Sequence, residues 1–414
     1  MIIVGMQWGD EGKGKVIDLF SEKAEHIARA QGGNNAGHTV IVEGAEYRFH
    51  LVPSGILYPH TTCYIGGGTV IDPDSLLQEI RELEALGVTC KGRLFVSAYA
   101  HVVMPYHRLQ DREEEREKGS SSVGTTGRGI GPCYADKIGR LGIRVAELLC
   151  PDAFRKQLEW IWGYKKVQNW DVNAVAEQYG RYAEQLAPYV GPVEELLFEA
   201  DKKGEKILFE GAQGALLDVT FGTYPFVTSS CTLSGGMFSG LGIGPKAASG
   251  VLGVAKAYTT RVGQGPFPTE FKEESFFDHT AAREIGVTTG RKRRMGWLDA
   301  FMLRHTAALN GIDSLALMKL DILDKLEEIK VCVGYTLNGQ LLQTFPVISD
   351  QLSDVEPVYE TFAGWKEPTG EIRFFEDLPS LAQTYIRFLE QFLGVEVALI
   401  SVGPQRHQTI WRKQ

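Results

Sequence analysis

The sequence predicts an α/β fold: a large, mostly parallel central sheet flanked by helices, with a P-loop-like turn near the start and helical insertions. Short runs of Val, Ile and Leu alternate with helical patterns, and glycines cluster in loops that directly follow several of these runs. Strands that are covered on both faces have this composition. In such sheets ligands bind at the carboxyl ends of the strands.

The elements follow from these two patterns. We predict strands at the apolar runs 2–4, 27–30, 94–96, 207–209, 251–254, 315–318 and 397–400. Helices are predicted at 74–86, 152–162, 172–186 and 381–392. We expect a single large α/β domain over 1–414, in which the more helical and charged residues from about 105 to 205 form an insertion or cap. The charged run Asp111–Lys118 indicates a solvated helix face.

Composition excludes several classes of protein. The chain has 414 residues, with 43 Lys and Arg against 52 Asp and Glu, so its net charge is −9. An acidic chain argues against broad binding of nucleic acid or of anionic membranes. No run approaches the ~20 apolar residues of a membrane span, and the N-terminus lacks the features of a signal peptide. Six scattered cysteines without a C-x-x-C pair favour reduced thiols and a cytoplasmic location.

A glycine-rich loop follows the first predicted strand. Gly9-Asp-Glu-Gly-Lys-Gly-Lys15 fits the G-x-x-x-x-G-K part of a P-loop, whose backbone N–H groups face phosphate oxygens. Val16 replaces the Ser or Thr that would hold Mg²⁺, and a carboxylate, Asp10, stands inside the loop. Bound phosphates would repel such a carboxylate unless it binds a cation or takes a proton from a second substrate. The alternative is a plain glycine-rich turn that begins a helix.

A second loop of this kind is Gly32-Gly-Asn-Asn-Ala-Gly-His-Thr39. Gly and Asn tolerate left-handed backbone, so the turn can present His38 and Thr39 to a ligand. His38 is then a candidate for a catalytic acid or for a hydrogen-bond donor to a phosphate. A structural role for this histidine is the alternative.

Together the two loops resemble those of adenylosuccinate synthetases, and Gln7-Trp-Gly-Asp-Glu-Gly-Lys-Gly-Lys15 is specific to that family. Further matching motifs run along the chain, at 124–132, 209–214, 224–230, 260–263, 265–269, 288–294, 319–321 and 401–404. The resemblance implies the reaction of IMP, L-aspartate and GTP to adenylosuccinate, GDP and phosphate, through a 6-phosphoryl-IMP intermediate. It also implies GTP as co-substrate, one Mg²⁺ per subunit, and a homodimer.

The resemblance assigns roles to residues of this chain. The catalytic set is Asp10, His38, Lys13 and Gln213, with Asp10 as the base that removes the N1 proton of IMP and, together with Gly37, as a ligand of Mg²⁺. The IMP-binding set is Asn35, Thr126, Arg140, Gln213, Thr228 and Arg291, and Arg140 would reach the neighbouring subunit's site. The GTP-binding set is Gly9, Asp10, Glu11, Gly12, Lys13, Gly14, Lys15, Gly37, His38, Thr39, Arg293, Lys319, Leu320, Asp321, Ser401, Val402 and Gly403. The aspartate-binding set is Val287, Thr288, Thr289, Gly290, Arg291 and Arg293.

Two of these assignments also have a chemical reason. Asp321 follows the predicted strand 315–318, and a carboxylate there can accept both N1–H and N2–H of guanine. A turn at the end of a strand is the alternative. The basic run Arg291–Arg294 suits a dicarboxylate, although alone it also fits a nucleic-acid patch or a solvated turn.

Two rival functions remain at this point. One is a different P-loop-like ATPase or kinase, which Val16 and the Lys-x-Asp sequence at 319–321 disfavour. The other is a GTP-binding regulatory module without ligase turnover, which would need the loops but not His38 or Gln213.

Overall fold

The computed structural model describes residues 1–42, 45–119, 122–167, 170–272, 284 and 292–412, and at 38, 39, 41, 42, 45 and 46 it describes the backbone alone. The strands are β1 (Ile2–Gly5), β2 (His26–Arg29), β3 (His38–Val42), β4 (Ala45–Phe49), β5 (Thr62–Ile65), β6 (Val70–Ile71), β7 (Leu94–Ser97), β8 (His101–Val102), β9 (Val190–Gly191), β10 (Ile207–Glu210), β11 (Val251–Lys256), β12 (Thr259–Arg261), β13 (Arg294–Gly296), β14 (Leu298–Asp299), β15 (Ser314–Met318), β16 (Glu328–Leu337), β17 (Gln340–Leu341), β18 (Glu356–Ala363), β19 (Glu396–Ser401) and β20 (Thr409–Trp411). The helices are α1 (Lys13–Ser21), α2 (Pro73–Ala85), α3 (Pro105–Lys118), α4 (Ile130–Gly139), α5 (Val145–Leu148), α6 (Pro151–Lys165), α7 (Val172–Leu186), α8 (Val193–Lys203), α9 (Ser234–Leu241), α10 (Ala300–Asn310), α11 (Ser349–Asp354) and α12 (Ser380–Leu393).

Within the described residues, ten strands form one sheet in the order β20-β19-β15-β11-β1-β10-β2-β5-β7-β9. Every neighbouring pair is parallel except β19 and β20. The carboxyl ends of the parallel strands therefore lie at one edge, where the loops that follow them meet. The predicted α/β fold with a large, mostly parallel sheet is confirmed.

The apolar core lies on both faces of this sheet. Along β1 the side chains alternate between two clusters, because Ile2 and Val4 belong to one and Ile3 to the other. Helices cover each face, which explains why β1 is buried throughout and reads as a continuous apolar run. In the part of the chain that is described, no helix has the length and apolar character needed to cross a membrane.

All seven predicted strands and all four predicted helices are present, with bounds shifted by at most three residues. The segment from about 105 to 205 contains helices α3 to α8, and its Phe154 and Leu158 share a core cluster with Ile3. Its short strand β9 pairs with β7 of the central sheet. The single-domain organisation with an inserted cap remains a prediction. The antiparallel partners β16 and β18 were not predicted, because the half-exposed β18 has no continuous apolar run.

The interpretation of Asp111–Lys118 as a solvated helix face is wrong for two carboxylates. Asp111 is 5 % exposed, and its Oδ2 accepts a hydrogen bond from the Gly129 backbone N–H at 2.8 Å. Glu115 accepts from the N–H groups of three consecutive residues, Val123 to Thr125. Neighbouring side chains such as Glu113 and Glu117 are exposed, as expected. The helix therefore holds a loop as well as facing solvent.

Candidate active site

A cavity of about 670 Å³ lies at the carboxyl edge of the sheet, between the loops that follow the central strands. Sixteen of the site residues predicted from the sequence line it. They are Gly9, Asp10, Gly12, Lys13, Gly14, Lys15, Asn35, Gly37, Thr126, Gln213, Thr228, Arg293, Lys319, Asp321, Ser401 and Gly403. Gly9 and Gly403, which are 394 positions apart in the chain, thus line the same cavity.

The glycine-rich loop connects β1 to α1, and a buried carboxylate fixes its shape. The Oε1 atom of Glu11 accepts hydrogen bonds from the backbone N–H groups of Gln7 (3.0 Å) and Gly9 (2.9 Å), and Oε2 pairs with Lys13. Helix α1 begins at Lys13, so its free N–H groups and dipole favour an anion at this point. Glu11 itself does not line the cavity, and its carboxylate contacts the loop.

A second loop packs directly on the glycine-rich loop. Gly214 lies so close that a Cβ there would be 2.4 Å from the backbone nitrogen of Gly9 and 2.4 Å from the carbonyl oxygen of Gln7. Only glycine allows this approach, because real Cβ contacts are longer than 3.0 Å. The contact places Gln213, which has a left-handed φ of 66°, beside the same cavity.

Asp10 occupies a left-handed position in the loop, with φ at 60°, and its side chain is 29 % exposed. The Oδ2 atom of Asp10 accepts a hydrogen bond of 2.6 Å from Nε of Arg293. The Nη1 atom of the same guanidinium donates to Oε2 of Glu284 at 2.8 Å. Arg293 therefore bridges an accessible carboxylate and a fully buried one.

Glu284 lies at the centre of a buried ionic cluster that sequence reasoning missed. Its carboxylate accepts hydrogen bonds from the Nζ atoms of Lys256 (3.0 Å) and Lys319 (2.6 Å), and from the hydroxyl of Tyr258. Burial would raise the pKa of Glu284, but Lys256, Lys319 and Arg293 outweigh it and hold that pKa well below its usual range. Burial lowers the pKa of Lys256 to about 7 even though Glu284 opposes the shift. A lysine at the end of the apolar run 251–256 was the signal available in the sequence.

The far end of the cavity is formed by the turns after β15 and β19. Asp321 has a buried Oδ1 atom that has no hydrogen-bond partner in the described part of the chain, and burial together with Asp324 raises the pKa of its carboxyl. Nζ of Lys15 donates to Oγ of Ser401 and to the carbonyl oxygens of Gly403 and Gln408, each at 2.8 Å. Burial lowers the pKa of Lys15 to about 7. Lys15 thus connects the glycine-rich loop to the turn after β19.

Polar side chains surround a third part of the cavity. Nε2 of Gln213 donates to Oγ1 of Thr228 at 3.0 Å, and Nδ2 of Asn35 donates to the same oxygen at 3.4 Å. Nη1 of Arg128 donates to the carbonyl oxygen of Asn34 at 2.6 Å, which connects the loop before α4 to the loop after β2. These amide and hydroxyl groups can bind a phosphate or a sugar.

Arg261 is a lining residue that the sequence interpretation did not single out. Its guanidinium lies 4.6 Å from the centre of the Trp8 ring and is almost fully buried. Burial lowers its pKa to about 9, and no described residue accepts a hydrogen bond from its Nε atom. The 260–263 motif was the only signal for it in the sequence.

Of the other predicted site residues, some do not line the cavity, and some are not among the residues that the structure describes. Leu320 and Val402 are buried, and Arg140 is exposed at the end of α4. His38 and Thr39 begin β3, but their side chains are not described. The aspartate-binding residues Val287, Thr288, Thr289, Gly290 and Arg291 all lie outside the described residues.

Comparison with known proteins identifies the family. The family model described as adenylosuccinate synthetase matches residues 2–410. Adenylosuccinate synthetase of Gloeobacter violaceus is 53 % identical over 99 % of this chain and 95 % of its own length, and that of Caldanaerobacter subterraneus subsp. tengcongensis is 51 % identical over 99 % and 98 %. The structure of fully ligated adenylosuccinate synthetase from Plasmodium falciparum superposes with a TM-score of 0.94 at 40 % identity, covering 100 % of this chain and 99 % of that one. This chain therefore belongs to the adenylosuccinate synthetase family.

Proposed function

We propose that the cavity joins L-aspartate to IMP with GTP as the energy source, and that it forms adenylosuccinate, GDP and phosphate. The observation that carries this proposal is that Asp10, Gln213 and Asp321 line a single cavity. The cavity combines a base inside a phosphate-binding loop, a neutral amide beside that base, and at the far end a carboxylate whose Oδ1 has no partner among the described residues. The relatives are named as synthetases, so the regulatory GTP-binding module is not retained.

The first step needs a nucleophile on IMP. Its 6-oxygen is a poor leaving group and becomes a nucleophile only when the N1 proton is removed. Asp10 is accessible, and its loop faces the site of the transferring phosphoryl group, so it accepts that proton. Gln213 carries no charge and donates a hydrogen bond to the resulting 6-oxyanion without competing for the proton.

The 6-oxygen then attacks the γ-phosphorus of GTP, and GDP leaves. Such transfer depends mainly on position and on electrostatic stabilisation. The amides at the start of α1, Lys13, and His38 as a hydrogen-bond donor supply that stabilisation. In the second step the amine of aspartate attacks C6, phosphate leaves, and the amine loses its proton. Arg291, Arg293 and the 287–290 segment hold the aspartate in this proposal.

Mg²⁺ fits the oxygen donors at this place. Asp10 offers a carboxylate and Gly37 a backbone carbonyl, and both residues line the cavity. Mg²⁺ prefers oxygen ligands and often takes only one or two from the protein, with phosphates and water as the others. When bound, it would neutralise charge on the transferring phosphoryl group. Arg293 occupies Oδ2 of Asp10, and Oδ1 has no hydrogen-bond partner among the described residues, so it is available for the ion.

The substrates have separate subsites in this arrangement. Asn35, Thr126 and Thr228 bind the 5′-phosphate of IMP, while Lys319, Asp321, Ser401 and Gly403 surround the guanine of GTP. A cytoplasmic location is consistent with six free cysteines and with a biosynthetic enzyme.

The test follows the absorbance change as IMP becomes adenylosuccinate, with each of the three substrates omitted in turn. We expect turnover only with IMP, aspartate and GTP together, with one phosphate released per adenylosuccinate formed. Slow GTP hydrolysis that is independent of IMP and aspartate would contradict the proposal.

We also propose a homodimer in which Arg140 completes the neighbouring subunit's site. The support is its exposed position at the end of α4, away from its own cavity. Mixing Arg140→Leu chains with Asp10→Asn chains should restore about a quarter of the normal turnover, because half of the randomly formed dimers contain one intact site. Each variant alone is the control. No recovery after subunit exchange would leave the site confined to one chain.

A further inference from the structure

The loop from 122 to 129 lines the cavity through its residues 123–126, yet it has little packing of its own. Residues 122–127 are at most partly buried, and Gly124, Gly127 and Gly129 have left-handed φ values of 82°, 65° and 77°. Glycine-rich backbone of this kind is costly to order. Some other part of the molecule must therefore hold the loop in place.

Helix α3 binds both ends of the 122–129 loop. At one end, Oδ2 of Asp111 accepts from the Gly129 N–H at 2.8 Å. Gly129 lies directly on the helix, because a Cβ there would be 2.8 Å from the carbonyl carbon of His107 and 2.8 Å from the nitrogen of Arg108. This end is fixed by packing as well as by a hydrogen bond.

At the other end, one carboxylate receives three consecutive N–H groups. Oε1 of Glu115 accepts from Val123 at 3.1 Å, and Oε2 accepts from Gly124 at 2.9 Å and from Thr125 at 3.2 Å. Burial opposes ionisation, but these bonds hold the pKa of Glu115 below its usual range. Asp111 and Glu115 are four residues apart on α3 and so lie on the same face of the helix.

We propose that Glu115, together with Asp111, is a positioning residue for IMP, because it anchors the loop that presents Thr126 to the nucleotide's phosphate. The inference rests on the proposed function for the identity of the ligand. Glu115 does not line the main cavity, and the three N–H groups that it binds are directed at the helix. Glu115 thus fixes the backbone beside the phosphate of IMP, whereas Thr126 contacts the phosphate itself.

A competing interpretation predicts the opposite sign. Three successive N–H groups form an anion-binding nest, and a carboxylate in such a nest can act as a placeholder that the phosphate displaces. Removing a placeholder strengthens phosphate binding, whereas removing an anchor weakens it. The two interpretations are therefore separated by the direction of the change in IMP affinity.

The test compares Glu115→Gln and Glu115→Asp with Glu113→Gln and Glu117→Gln, which change exposed carboxylates of the same helix. We expect Glu115→Gln to weaken IMP binding about tenfold by calorimetry, the scale of a lost charge-assisted bond. The KM values for GTP and aspartate, measured at saturating IMP, should stay within about twofold. Glu115→Asp keeps the charge on a shorter arm and should fall between the wild type and Glu115→Gln. Both control variants should bind IMP like the wild type.

A second measurement needs no substrate. Trypsin cleavage after Arg128, followed by mass spectrometry, should be at least about threefold faster in Glu115→Gln than in Glu113→Gln, because a released loop opens more often. Unchanged or tighter IMP binding, equal weakening for all three substrates, or equal cleavage rates would overturn the inference. A wild-type protein that does not bind IMP would contradict the proposed function, and the cleavage rates would still decide whether Glu115 anchors the loop.

Discussion

Asp10→Asn is expected to lower turnover at least about 100-fold, because an amide cannot take the N1 proton from IMP. The substitution keeps the size of the side chain, and Asn tolerates the left-handed backbone that this position requires, with its φ of 60°. The loop should therefore keep its shape, so the loss can be attributed to the chemistry. Turnover is measured by adenylosuccinate formation at saturating concentrations of all three substrates.

The control is Asp152→Asn, which changes an exposed carboxylate at the start of α6 and should leave turnover unchanged. The affinity of Asp10→Asn for IMP is measured as well. If Asp10 acts mainly in the transfer step, IMP should bind Asp10→Asn with an affinity within about tenfold of the wild-type value. Near-normal turnover in this variant would remove Asp10 from the mechanism.

The ion pair between Asp10 and Arg293 makes this prediction more specific. In the variant, Nε of Arg293 loses a charged acceptor, while Nη1 keeps its bond to the buried Glu284. Arg293 therefore stays anchored at one end when the other partner is neutral. A loss in turnover that greatly exceeds any loss in thermal stability would separate the removed base from a disturbed ionic cluster.

How much could be predicted depends on how far apart in the chain the partners are. Asp10 and Asp321 could be found because each lies in a loop that follows an apolar strand, which places it at the carboxyl edge, and because the family resemblance assigns a role to each. The ion pair of Asp10 with Arg293 spans 283 residues and that of Lys256 with Glu284 spans 28. No local pattern in a single sequence reports such contacts, so Lys256 and Glu284 were missed.

The loop contacts of the charged helix α3 could not be predicted from the sequence either. Its charged run Asp111–Lys118 is typical of a solvated face, and five of these eight side chains are exposed. Asp111 and Glu115 differ because the loop that follows the helix folds back and directs backbone N–H groups at them. That return is set by the packing of Gly129 on α3, which composition and charge periodicity do not encode.

Asp321→Asn is expected to reduce the preference for GTP over ATP at least about 100-fold, because a site built to accept two guanine N–H groups discriminates strongly through those bonds. Oδ1 of Asp321 is buried and has no partner among the described residues, so it is available to a ligand. In the variant, the amide presents an N–H group to one of the guanine donors, and that donor is left unpaired. The ratio of kcat/KM values for the two nucleotides measures the effect.

Restored activity with a different base distinguishes lost recognition from lost structure. Xanthine has a carbonyl where guanine has its 2-amino group, so it offers the amide of Asp321→Asn one donor and one acceptor in matching positions. We therefore expect xanthosine triphosphate to be used better than GTP by the variant and worse than GTP by the wild type. Asp377→Asn, at an exposed carboxylate, should keep the wild-type order of nucleotides. An Asp321→Asn variant that still prefers GTP as strongly as the wild type would place guanine recognition elsewhere in the cavity.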